Sequence, residues 1–146
     1  MRNYQQFIEW LDATYIGRQY LSRLTAVLPD PNSVTCLAND RYGEDLEIKF
    51  VAFDASMLVK GFLKFPRPTP EECMMQLEVF SLSLVKSKLL SYETYDAYGS
   101  RMLDGEFKEL ALTLTFDGRE ITLRKTDYPH QTNLFDQAVT ALMSSR

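Results

Sequence analysis

The stretch Leu110-Ala-Leu-Thr-Leu-Thr-Phe116, Asp117-Gly118, Arg119-Glu-Ile-Thr-Leu-Arg-Lys125 decides the fold class, because two alternating segments meet at an Asp-Gly pair. Alternation with a period of two is the mark of a strand, and Asp-Gly between two such runs marks a hairpin. A two-residue type I′ loop sets the register. Leu114 falls opposite Ile121 and Leu112 opposite Leu123 on an apolar face, with Thr113 opposite Thr122 on a polar one. Leu112, Leu114, Ile121 and Leu123 are then expected to cover a helix, with Thr113, Thr122 and Arg124 facing water or a twofold partner. A sheet that is wet on one face is antiparallel, which points to an α+β or all-β protein and away from a doubly wound parallel nucleotide fold.

Working outward toward the N-terminus, Tyr4, Phe7, Ile8, Leu11 and Tyr15 follow helical spacing behind Asn3 as N-cap, and a second stripe starts at Tyr20, Leu24 and Val27. The change of phase near Gly17 predicts either a bent helix over 3–28 or two short ones, ended by Pro29-Asp-Pro-Asn-Ser33. Val34 to Asn39 alternates, Arg41 to Asp45 reads as a turn, and Leu46 to Phe53 is a strand with Leu46, Ile48 and Phe50 on one face. Met57 to Phe65 makes a third strand, rich in branched and aromatic residues. Thr69, Pro70 and Glu72 form a capping-box signature, which predicts a helix over residues 70–90. Phe80-Ser-Leu-Ser-Leu84 alternates instead, as a strand does. Tyr92, Tyr95 and Tyr98 fall in a segment with no clear period, and a last helix starts at about Asn133 and carries Leu134, Phe135, Ala138, Val139 and Leu142.

The expected fold is therefore α+β, an antiparallel sheet with helices packed on it in the order α-β-β-β-α-β-β-α. The 146 residues suit a single domain over 1–146 that buries roughly two thirds of its unfolded surface without a staple or metal. Cys36 and Cys73 stand alone, without a C-x-x-C spacing, and fit a reducing cytoplasm. No apolar run approaches the roughly twenty residues of a membrane span, and the N-terminus lacks a signal-peptide core, so a soluble, unprocessed cytoplasmic protein with no membrane partner is expected. The net charge of −4, with scattered basic residues, disfavours nucleic acid.

No catalytic constellation emerges. His130 is the single histidine and follows Pro129 in a loop, and the serines at 81, 83 and 87 lack a nucleophile elbow. One His and two distant Cys cannot build a zinc site, and the acidic clusters Glu44-Asp45, Glu71-Glu72 and Asp104/Glu106/Glu109 do not match a calcium loop. The glycines form neither a dinucleotide fingerprint nor a P-loop. The reading is of a protein that is not an enzyme and needs no cofactor.

Cys36-Leu-Ala-Asn-Asp40 and Met57-Leu-Val-Lys-Gly-Phe-Leu-Lys-Phe-Pro66, together with the order of elements, resemble the class I type III secretion chaperones, the Tir-chaperone-like family. The resemblance implies an acidic homodimeric chaperone that holds a segment of a secreted effector in an extended form before export, as a protein partner seated in grooves beside the first helix and sheet. Val51 and Phe53, which put apolar side chains on the second face of the strand over 46–53, would line those partner-binding grooves together with Val34 and Phe62, with burial in the protein's own core as the alternative fate of each. The resemblance places Met75, Val79 and Leu82, on the second apolar side of the helix over 70–90, at the dimer interface. From a different class, a small inhibitor or immunity-type protein, phage- or toxin-associated, would block one protein target through an acidic surface. Salt separates the two, because steered electrostatic binding weakens with ionic strength and buried apolar contact persists.

Overall fold

In a computed structural model of the chain, the described residues are 3–66, 72–93 and 109–144. The chain divides into two compact units, Met1–Ser83 and Leu84–Arg146.

The first unit opens with helices α1 (Tyr4–Asp12) and α2 (Tyr15–Val27). Asn3 Oδ1 accepts from Gln6 N–H at 2.8 Å and Thr14 Oγ1 from Gly17 N–H at 2.9 Å, so each helix has its own side-chain cap. The change of apolar phase near Gly17 is thus a true break, and of the two expected forms the pair of short helices is the one observed. Strands β1 (Thr35–Tyr42), β2 (Asp45–Phe53), β3 (Met57–Pro66) and β4 (Met74–Ser81) follow as an antiparallel meander in the order β1-β2-β3-β4.

One face of this sheet receives the helices. Phe7, Leu11, Tyr20, Leu24 and Leu28 meet Cys36, Ile48, Phe50, Ala52, Val59 and Leu63 in a single buried cluster, as the expected placement of Ile48 and Phe50 on one face requires. At its centre the Phe7 and Phe50 rings lie 4.6 Å apart, and Tyr20 stands edge-on to Phe50 at 6.3 Å. Phe50 finds room because its cross-strand partner is Gly61. On the opposite face Leu37, Val51, Phe53, Leu58 and Phe80 are buried. The same face turns polar toward the other end of the strands, at Asn39, Lys49 and Lys64.

Among the ionisable groups of this core are Cys36 and Tyr4. Burial pushes the Cys36 thiol up to about 12, and burial, followed by the neighbouring Cys36, pushes the Tyr4 hydroxyl to about 12. Both stay protonated when folded, whereas an unfolded chain loses these protons from about pH 9 upward. Stability is therefore expected to be full below pH 9 and to fall as pH rises toward 12. Urea midpoints measured across this range for the native chain and Cys36→Ala check the effect, with the variant showing the shallower decline.

The second unit contains β5 (Ser87–Glu93), β6 (Glu109–Thr115) and β7 (Glu120–Arg124) as a three-stranded antiparallel sheet in the order β5-β6-β7, then α3 (Thr132–Ser144). The hairpin register is the expected one: Leu114 pairs with Ile121, Leu112 with Leu123, and Thr113 with Thr122. The two threonine hydroxyls meet at 2.9 Å. Leu112, Leu114, Ile121 and Leu123 are all buried. Lys88, which shares their face, donates from Nζ to Leu142 O at 2.8 Å and so ties the C-terminal end of α3 to that side of the sheet.

Two expectations need correction. Gly118 has φ 73°, but no other described residue has positive φ, so the Asp117-Gly118 loop is not type I′, which needs it at both central residues. One left-handed glycine in second place is the type II pattern, and it spares Asp117 the left-handed strain. The second correction concerns the helix expected over 70–90, where β4 and β5 stand instead, joined through a short 3-10 turn at Leu82–Leu84. Eight residues of β4 pair with β3 in unbroken register from Met57 opposite Ser81 to Lys64 opposite Met74. That ladder outweighs a capping signal, whose Thr69 and Pro70 lie outside the described residues. The α+β class holds, with a fourth and a fifth strand in place of the middle helix. No helix among the described residues is long and apolar enough to cross a membrane.

Candidate functional site

The sites offered by this fold lie along its strand edges. An edge strand presents open main-chain groups, and proteins usually guard it with charge, brevity or a bulge. Strand β1 carries Asn39, Asp40 and Arg41 ahead of its last residue, the exposed Tyr42, and β7 is five residues long with exposed Glu120 and Arg124. Of the other two edges, β4 is apolar on its helix side at Met75, Leu77 and Val79, and β5 carries Leu89, Leu90 and Tyr92 among Ser87, Lys88 and Ser91.

On β5, Leu89 is 62% exposed and Tyr92 54% exposed. Leu90 and Tyr92 share the face on which α3 lies, and between strand and helix runs a groove of about 550 Å³. Leu110, Val139 and Met143 complete its apolar floor. Its polar rim is occupied with itself. Lys125 Nζ stands 3.1 Å from Asp136 Oδ1, Thr140 donates to Asp136 O at 3.0 Å, and Ser144 donates to Thr140 O at 2.8 Å. Such a groove offers apolar contact, with the open side of a strand beside it.

A smaller groove of about 340 Å³ lies between α2 and β4, lined by Gln19, Tyr20, Arg23, Met75 and Leu77. Its floor is held in place by Tyr20, whose hydroxyl donates to Gln76 O at 2.9 Å. Burial raises the pKa of that hydroxyl well above its ordinary value, so it remains a donor.

The residues expected to bind a partner do not form one surface. Val51 and Phe53 are buried, and Phe62, on the same face of the sheet, is half-buried opposite Lys49. Val34 packs at the border of the helix-side core instead. Of the residues expected at a dimer interface, Met75 and Val79 do share a face, but as alternate residues of a strand and not as a helical stripe. Met75 packs against the helix-side core, Val79 is 36% exposed, and Leu82 is buried in the turn that follows. Tyr95 and Tyr98 lie outside the described residues.

Sequence reasoning missed Leu89, Met143, Gln19 and Arg23. The signal for the first was the pair Leu89-Leu90, which puts apolar side chains on both faces once the segment is a strand.

As for reaction chemistry, His130 is exposed in a turn, and the described residues contain no group of three or more His, Cys, Asp or Glu able to hold a metal ion. Cys36 and Cys73 are both free thiols. Glu109, expected within an acidic cluster whose Asp104 and Glu106 lie outside the described residues, is 7% exposed, and its Oε1 is without a hydrogen-bond partner. Compared with protein-family models, with curated proteins and with solved structures, the chain matches none.

Proposed function

We propose that this chain is a non-catalytic protein-binding protein that holds an extended segment of a partner protein along β5, in the manner of an acidic, homodimeric cytoplasmic chaperone. The observation that carries the reading is the conjunction at β5. An edge strand has Leu89 and Tyr92 exposed on its two sides and an apolar groove against α3 alongside. Strand addition supplies affinity through main-chain hydrogen bonds, and the groove selects alternate apolar side chains of the guest. Apolar area left uncovered on an edge strand is otherwise a liability for aggregation, so a protein gains from reserving it for a partner. The homodimer and the export role enter this reading through the family resemblance.

The test is a peptide array of extended segments of about ten residues, probed with the whole chain. Leu89→Asp combined with Tyr92→Asp is expected to lower the retained signal at least about tenfold, with unchanged far-ultraviolet circular dichroism. Undiminished binding by the folded variant would remove the reading.

A further inference from the structure

We infer that the groove between α2 and β4 takes an extended peptide segment bearing a carboxylate, which Arg23 and Gln19 select. The inference rests on the protein-binding reading and adds to it a second site with a stated chemistry.

Three observations support it. First, β4 is an edge strand of eight residues, in unbroken register with β3, and its helix-side residues Met75, Leu77 and Val79 carry no charge, proline or bulge. Its one charge, Glu78, stands on the other face, so on the helix side the edge carries no guard and can accept a further strand. Second, the groove is rigid. Tyr20 is wedged edge-on against Phe50 and its hydroxyl is fixed on Gln76 O, so the floor under a guest strand needs no reordering on binding.

Third, the charge at the rim is of one sign. Arg23 is an exposed guanidinium that lines the groove with the amide of Gln19, above the half-buried Met75 and Leu77. Neither has a hydrogen bond or ion pair within the described structure. The rim of the β5 groove differs in kind, since Lys125 there is already matched by Asp136. A guanidinium fork above an apolar floor is complementary to a carboxylate flanked by apolar residues, and it repels an ammonium group in the same place. A guest strand lying along β4 would direct alternate side chains toward α2, so apolar residues at two positions and Asp or Glu at the next fit the arrangement.

The test is an NMR titration of the full chain with two acetylated, amidated octapeptides of alternating valine and threonine, one with a central aspartate and one with a central lysine. The aspartate peptide is expected to shift the amides of β4 and of α2 around Gln19 and Arg23. It should bind at least about tenfold more tightly than the lysine peptide, and Arg23→Glu should invert that preference. Equal binding of both peptides at β4, or a preference unchanged in Arg23→Glu, overturns the inference. Shifts confined to β5 also overturn it but leave the protein-binding reading standing. If no amide of either edge moves up to millimolar peptide, both fall.

Discussion

Gly61→Ala is expected to destabilise the first unit by about 2 kcal/mol or more, a large effect for one added methyl group. A β-carbon at position 61 would land on the Phe50 ring and within 2.7 Å of the Tyr20 hydroxyl. Neither can step aside. Phe50 is 1% exposed, held between Phe7 and Tyr20, and Tyr20 is fixed by its bond to Gln76 O. Close-packed interiors pass such strain to the backbone, here to the β2–β3 ladder in which Gly61 and Phe50 are directly opposed. Urea unfolding gives the loss as a lowered midpoint. The double variant Gly61→Ala with Phe50→Leu should regain part of it, because the smaller side chain clears the space over position 61. An unchanged midpoint in Gly61→Ala would show that the ring shifts freely, contrary to the packing described.

Phe135→Ala should cost roughly 3–5 kcal/mol, the range for truncating a buried aromatic ring. Phe135 is fully buried in α3 and stacks on Tyr128, with ring centres 5.9 Å apart. Truncation removes the transfer energy of the ring and leaves a void that the strands of β5–β7, locked in register, cannot collapse to fill. Phe135→Leu keeps most of the volume and should lose less than half as much. Thermal unfolding followed by circular dichroism distinguishes them, and equal losses in the two variants would point to a specific ring–ring term instead of volume.

How far the sequence disclosed this fold depended on whether the deciding signal was local. The hairpin over 110–125 was legible to the residue, since alternation and a two-residue loop leave one register. The three terminal helices were legible from apolar spacing and caps, with α3 starting at Thr132, one residue from the expected position. Residues 74–93 were not. Met75, Leu77 and Val79 alternate with Met74, Gln76 and Glu78, but the run is also compatible with a helix, and a capping box just upstream favoured one. What settles the matter is pairing with β3, a contact between residues up to two dozen positions apart that no local pattern announces.

The candidate sites were hidden for the same reason. Arg23, on a helix, and Met75, on a strand, become neighbours only when β4 is assigned to the sheet. Leu89 is unremarked in a helix and conspicuous on an edge. Val51 and Phe53 were correctly read as the second apolar face of β2, but alternation alone does not distinguish a face that is covered from one left open.

The strand order carries a kinetic consequence. In both sheets each strand lies beside its neighbour in the chain, so every ladder closes a short or moderate loop and none must wait for a strand made much later. Low contact order of this kind favours rapid folding. It also lets the first meander assemble strand by strand as the chain leaves the ribosome, with β4 the last rung to be laid.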